Sequence, residues 1–88
     1  MKIDKQFILR KIAGDYVIIP TGKTALEFNG MITVNEQGAF LWQQLFGETT
    51  EEQLVDALLN EYDVDRQTAQ EDVSEFLQVL QHYDILKN

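Results

Sequence analysis

Residues 29–45, NGMITVNEQGAFLWQQL, decide the fold, because an extended apolar run stops there at an asparagine and a helical pattern begins. The run Met31–Val34 is rich in β-favouring residues, and it follows Asn29–Gly30, a pair typical of turns. Asn35 can accept a hydrogen bond from a free N–H of a first helical turn. The pattern therefore predicts a short strand that ends at Val34 and a helix that begins at about Asn35.

This first predicted helix carries an apolar face that another element must cover. Phe40, Trp42 and Phe46 are interpreted as core volume of the helix, since aromatic side chains on a small helix usually fill a core. Gly38 costs about 1 kcal/mol relative to alanine inside a helix. Its presence favours close packing against a neighbouring element. Gly47 stands where a helix often ends in a left-handed conformation.

Upstream of this stretch the chain is predicted to form a hairpin. Residues 7–12 and 15–20 are two β-rich runs, separated by a short segment with Ala13 and Gly14 that suits a hairpin loop. Pro20 lacks an N–H and marks the end of the second strand. Residues 21–24, TGKT, are interpreted as a turn-rich loop, because the first glycine of a phosphate-binding loop is missing.

Downstream, two more helices are predicted from their start signals and their apolar periodicity. Thr50 with Gln53 three residues later fits a capping box, and the apolar stripe that follows ends at about residue 61. Asp65 can cap a third helix whose pattern continues to about Tyr83. Ile85–Leu86 is then a short apolar tail that is expected to tuck against the core or pair with a strand edge.

The order of these elements indicates the fold class. Three short antiparallel strands followed by three helices predict a small α+β domain of winged-helix character. The 88 residues suit a single domain, 1–88, with one small core. Because the sequence contains no cysteine, neither a disulfide nor a thiolate metal site can contribute to its stability.

Composition and charge limit the classes of partner. Hydrophobic residues make up 44% of the chain, which is typical of globular proteins. The formal net charge is −8, and the few basic residues are scattered, so binding to nucleic acid is not expected. The longest apolar runs span only a few residues, with no basic and apolar leader. The sequence therefore predicts no membrane association and a cytoplasmic location.

The inventory of reactive side chains argues against catalysis. His82 is the only histidine, and with no cysteine it cannot form a nucleophile–base pair or a transition-metal site. Asp63 and Asp65 lie two residues apart, but the glycine and distal glutamate of a calcium loop do not follow them. We therefore expect no enzyme activity, no catalytic residue, no metal and no cofactor.

A candidate binding surface comes from the third predicted strand and the third predicted helix. On a helical projection Asp72, Phe76, Val79 and Tyr83 form a flank beside the core stripe. If this flank lies beside the exposed edge of residues 30–34, the two would form a groove for an extended peptide that adds a strand. The same exposed edge makes dimerisation possible.

From Tyr16 to Leu86 the sequence resembles the PqqD-type family, also called RiPP recognition elements, which bind leader peptides of ribosomally made and modified peptides. The resemblance rests on short motifs spread over the chain, namely Asn35-Glu36, Phe40-Leu41-Trp42, Gly47-x-Thr49, Asp72-Val73-x-x-Phe76-Leu77-x-x-Leu80 and Ile85-Leu86. Most of these residues are apolar and belong to the predicted core, so the motifs identify the fold better than an activity.

The resemblance implies a non-catalytic peptide-binding adaptor, or peptide chaperone. A leader peptide would pair as an additional antiparallel strand and be presented to a maturation enzyme, such as a radical S-adenosylmethionine protein. The implied contacts are main-chain contacts at Gly30, Met31, Ile32 and Thr33 and side-chain contacts from Asp72, Phe76, Val79 and Tyr83. Two alternatives stay open, a winged-helix regulator that binds nucleic acid and a docking module without a peptide ligand.

Overall fold

In the computed structural model, which describes residues 1–3, 6–28 and 30–87, three antiparallel strands precede three long helices, as the sequence predicts, and a two-residue strand lies near each end of the chain. The elements in chain order are β1 (Lys2–Ile3), β2 (Phe7–Ile12), β3 (Asp15–Pro20), α1 (Thr24–Glu27), β4 (Ile32–Val34), α2 (Glu36–Gln44), α3 (Glu51–Glu61), α4 (Arg66–His82) and β5 (Leu86–Lys87). The α+β class is confirmed, and the three long helices match the three predicted ones.

The main sheet is antiparallel, with the strand order β2-β3-β4. Ile12 pairs with Asp15, so the hairpin loop consists of Ala13 and Gly14 alone. Both loop residues have positive φ, 52° and 88°, as the tightest hairpin turns require. Because β3 lies in the middle, β4 has one neighbouring strand among the described residues and its other edge is open there.

The three long helices, α2, α3 and α4, each begin after the capping residue that the sequence predicts. The Asn35 side chain accepts a hydrogen bond from the Gly38 N–H at 2.8 Å, and the Asp65 side chain accepts one from the Thr68 N–H at 2.9 Å. Thr50 and Gln53 form the complete capping box. These bonds satisfy N–H groups that the first turn of a helix otherwise leaves free.

The core lies between the sheet and the helices. Trp42, Leu45 and Leu58 are fully buried there, together with Ile18 from the sheet and Leu80 from α4. The burial of Trp42 confirms its interpretation as core. Its indole N–H nevertheless has no hydrogen-bond partner among the described residues.

A second, small sheet joins the two ends of the chain. β1 pairs with β5 in antiparallel register, Ile3 opposite Leu86. Ile85 is fully buried, and the Ile3 N–H donates to the Leu45 carbonyl at 3.1 Å. The terminal apolar tail thus does both things expected of it, since one residue enters the core and the next pairs with a strand.

Several expectations need correction. The loop after β3 contains the single helical turn α1, and β4 begins at Ile32, one residue later than predicted. Phe46 is 69% exposed: α2 ends at Gln44, so the four-residue spacing from the buried Trp42 no longer places Phe46 on the inner face, although Leu45 beside it is buried. Gly47 is not among the glycines with positive φ, whereas Gly30 has φ 120°. The turn role of Asn29 lies outside the described residues.

Candidate functional site

Two adjoining depressions lie between β4 and α4. The inner depression is lined by Val34, Gly38, Leu41, Asp72 and Phe76 and has a volume of about 180 Å³. The outer depression is lined by Met31, Ile32, Gln78, His82 and Tyr83. Thr33, Glu75 and Val79 line both. We call the two together the β4–α4 groove.

The open edge of β4 forms one wall of this groove, and its register determines which main-chain groups are free. Ile12 and Asp15 close a two-residue hairpin loop, and such a closing pair exchanges both main-chain hydrogen bonds. Alternation along β3 then directs the main-chain groups of Tyr16 and Ile18 towards β4. The Phe7–Pro20 pair fits this assignment, because Pro20 falls where no N–H is required.

By the same alternation, one residue of β4 directs its main-chain N–H and C=O groups away from β3. Ile32 pairs with Ile18 and Val34 pairs with Tyr16, so their N–H and C=O groups bond to β3. Thr33, opposite Val17, directs both of its main-chain groups to the open edge. A further strand on this edge would therefore bond first to Thr33.

Side chains alternate in the opposite sense and define the face on which the groove lies. Ile32 is buried and Val34 is half-buried, whereas the Thr33 side chain is exposed. In an added strand, residues opposite Ile32 and Val34 would thus face the groove, and the residue opposite Thr33 would face solvent. A strand added at this edge would therefore present every second side chain to the groove.

The inner depression is shaped by the absence of a side chain at Gly38. A Cβ at this position would lie 3.0 Å from Val34 Cβ and 3.4 Å from Phe76 Cδ1. This close approach confirms the packing role inferred from the sequence. The volume of about 180 Å³ is below the about 300–1,000 Å³ of typical small-molecule pockets, so it suits a single apolar side chain.

The outer depression combines exposed apolar surface with polar groups. Met31, Val79 and Tyr83 are 60%, 38% and 41% exposed, and they account for half of the large apolar side chains that the described chain leaves at its surface. The Tyr83 ring packs against Phe28 with 5.4 Å between ring centroids. Neighbouring exposed apolar residues of this kind mark a surface for an apolar ligand.

The walls of the groove are acidic. Asp72 lines the inner depression and Glu75 lines both depressions. Within the described ranges, neither carboxylate has an ion-pair or hydrogen-bond partner, and His82 is the only basic side chain at the groove. The two ion pairs of the described residues lie elsewhere, at Glu48 and at Asp56.

The structure brings most of the sequence-predicted site residues together. Asp72, Phe76, Val79 and Tyr83 all line the groove across from the β4 edge, and so do Met31, Ile32 and Thr33. Gly30 lines neither depression. The main-chain groups of Ile32 are directed to β3, whereas those of Thr33 are directed to the open edge. The peptide contacts themselves stay a prediction.

Phe76 has a dual position. The helical projection of the sequence places Phe76 on the flank beside the core. In the structure it is only 7% exposed and belongs to the core cluster as well as to the groove wall. A polar substitution at Phe76 would bury an unsatisfied group and destabilise the domain. Val79 is therefore the better residue with which to test the groove.

Sequence reasoning missed part of the groove. A signal was available for Glu75, which is three residues after Asp72 and four before Val79 and so shares their helix face. The first turn of α2 gave only an indirect signal, the glycine inside a helix. The missed lining residues are Asn35, Gln37, Gly38, Leu41, Glu75, Gln78 and His82.

Within the described residues no cluster of histidine, cysteine, aspartate or glutamate could hold a metal ion. No helix among them combines the length and apolarity that a membrane crossing requires. The groove is thus a surface built of main-chain groups, apolar contacts and carboxylates.

Comparison with known proteins identifies the family and the fold of the chain. The family model for coenzyme PQQ synthesis protein D (PqqD) matches residues 15–86. The chain belongs to the PqqD family. No curated protein sequence matches it.

Two solved structures have the same fold. One, "TbiB1 in Complex with the TbiA(beta) Leader Peptide", has a TM-score of 0.75 and 27% sequence identity and covers 100% of this chain and 96% of that one. The other, "Lasso peptide synthetase B1 complexed with the leader peptide", has a TM-score of 0.72 and 16% identity, covers 99% and 96%, and shows the fold alone. Both structures contain a leader peptide.

Proposed function

We propose that this chain is a peptide-binding adaptor that captures the leader segment of a ribosomally made precursor peptide by strand addition at β4. The observation that carries this proposal is the open edge of β4 beside the apolar and acidic wall of α4. Membership of the PqqD family and the two similar structures with leader peptides support it.

The proposed mode of binding follows from the register. The leader lies antiparallel to β4, and one of its residues exchanges two main-chain hydrogen bonds with Thr33. Each such bond contributes on the order of 1 kcal/mol net. The leader residue opposite Val34 places its side chain in the inner depression, and the residue opposite Ile32 faces Glu75 and Val79. Main-chain pairing accepts any extended chain, so these two side chains supply the specificity.

The role of the chain in this proposal is physical and non-catalytic. The whole chain acts as one domain that holds the leader in an extended conformation and presents the precursor to a maturation enzyme, for which a radical S-adenosylmethionine protein is one candidate class. Binding at an edge leaves the rest of the precursor free to reach the enzyme.

Amide NMR with isotope-labelled protein tests the proposal. The protein is titrated with leader peptides encoded by genes next to its own, and amide hydrogen exchange is then measured with and without peptide. We expect shifts in β4 and along the groove face of α4, and a newly protected N–H at Thr33. The N–H groups of Ile32 and Val34 serve as internal controls, because β3 already protects them.

Two outcomes would contradict the proposal. One is a spectrum that every neighbouring peptide leaves unchanged. The other is binding that shifts residues on the helices but leaves exchange at Thr33 as fast as before, since this result would indicate docking without strand addition.

A further inference from the structure

The groove walls indicate what kind of leader would fit. The inner depression is small and largely apolar at its floor, formed by Leu41 and Phe76, and so suits one apolar side chain. The neighbouring outer depression shares Glu75 and Val79 with the inner one but lacks its buried floor, because the exposed side chains of Met31 and Tyr83 and the imidazole of His82 complete its lining. Among the described residues the Glu75 carboxylate has no partner. Two positions of one bound strand, two residues apart, would therefore face depressions with different linings.

The strand geometry fixes the spacing between these two positions. Val34 and Ile32 are two residues apart, so the leader residues opposite them are also two apart, about 7 Å along the strand. In an antiparallel pairing, the more stable of the two ladders, the residue opposite Ile32 lies C-terminal to the residue opposite Val34.

A lysine or arginine suits the second position, the one opposite Ile32, with both parts of its side chain. Its methylene chain can lie along Val79 and Met31 while its charged end reaches Glu75. A carboxylate there would instead meet Glu75, and like charges oppose binding. The net charge of −8 adds a long-range attraction for a basic segment.

We infer that the β4–α4 groove selects leader segments in which an apolar residue is followed, two positions towards the C-terminus, by a basic residue that faces Glu75. This inference rests on the proposed strand addition and names the class of leader that the site recognises.

Three synthetic peptides test it directly. They have the sequence TTTLTXTTT with acetylated and amidated ends, and X is lysine, glutamine or glutamate. At low salt we expect the lysine peptide to bind about tenfold more tightly than the glutamate peptide, with glutamine between them. The difference should shrink at about 0.5 M salt, where screening acts over about 4 Å.

Two variants of α4 with the same change in charge separate a local contact from the overall charge. Glu75→Gln should reduce the ratio between the lysine and glutamate peptides to about twofold. Glu71→Gln should leave it near tenfold, because Glu71 is exposed on the same helix but does not line the groove.

Equal affinities for the three peptides, or equal ratios in the two variants, would overturn the inference. So would the absence of any shift with all three peptides. The proposed function would survive each of these results if a leader encoded beside the gene still protects the Thr33 N–H, so the two failures can be told apart.

Discussion

The two outer edges of the main sheet, formed by β2 and β4, differ in length and charge although both belong to the same three-stranded sheet. The β2 edge is six residues long and carries Arg10 and Lys11, whereas the β4 edge is three residues long and carries no charge. Charged residues on an edge strand hinder pairing with another chain. The β4 edge has no such protection, and α4 beside it supplies a wall instead. We therefore expect the β4 edge, with α4 beside it, to be the edge that a ligand uses.

Proline substitutions give the largest effect that separates the two edges. Thr33→Pro removes the outward N–H of β4, which would leave a leader carbonyl without its partner, so we expect leader affinity to fall about 100-fold. The matched control is Lys11→Pro. Lys11 pairs with Tyr16, so by the same alternation its N–H is directed away from the sheet at the β2 edge.

Calorimetry with a leader peptide and circular dichroism of both proline variants check this prediction. Both variants should fold, since proline is tolerated where an edge N–H faces outward. Equal losses of affinity in the two variants would mean that the β4 edge has no special role in binding.

A new carboxylate beside the β4 edge, compared with one on β2, gives the next largest effect. Val79→Asp removes apolar contact from both depressions and adds a third acid near Asp72 and Glu75, so affinity should fall at least about tenfold. Ile12→Asp is the control, because Ile12 is 48% exposed on β2. Both side chains are partly exposed, so thermal unfolding should change little in Val79→Asp and should shift down modestly in Ile12→Asp, where the new carboxylate lies opposite Asp15. Normal binding by folded Val79→Asp protein would exclude the groove as the ligand site.

Much of this architecture was predictable because it depends on local chemistry. The caps at Asn35, Thr50 and Asp65 lie within three residues of their partners, so the sequence alone places the helix starts. The open β4 edge follows from the order of strands and helices. These features need no knowledge of distant contacts.

The features that sequence reasoning missed depend on contacts between distant parts of the chain. The sequence predicts that the terminal tail can pair with a strand edge, but not that its partner is Ile3 near the opposite end of the chain, since no local pattern specifies this pairing. Phe46 was expected in the core by extending a helical period past the point where the helix ends. The dual position of Phe76 depends on where Gly38 allows α2 to approach, which periodicity along α4 cannot show.

Adding one methyl group tests the shape of the inner depression. Gly38→Ala would place a Cβ against Val34 and Phe76, so these side chains must shift into the space that an apolar leader residue would occupy. We expect affinity to fall by about three- to tenfold, on the order of 1 kcal/mol. The gain in helix propensity, also about 1 kcal/mol, is offset by the crowding.

Gly47→Ala is the control for this change, since a Cβ at Gly47 meets no atom within 4 Å. Leader titrations and urea unfolding of both variants are the measurements. An unchanged leader affinity in Gly38→Ala would show that no side chain enters the inner depression.

The smallest predicted effect is a pH dependence in the helix that forms the acidic wall. The hydrogen bond from Thr68 to the Asp65 side chain at the start of α4 lowers the pKa of Asp65 below its ordinary value of 3.8. A carboxyl group whose pKa is lower in the folded state stabilises the fold above its unfolded pKa, and this contribution disappears as the pH falls through the folded pKa. The free energy of unfolding should therefore decrease below about pH 4 in the wild type. In Asp65→Asn this part of the decrease should be missing, because asparagine can cap the helix but does not titrate. Urea unfolding of both proteins at about pH 6 and about pH 2.5 measures the difference, and parallel losses would show that the cap carries no charge-dependent stability.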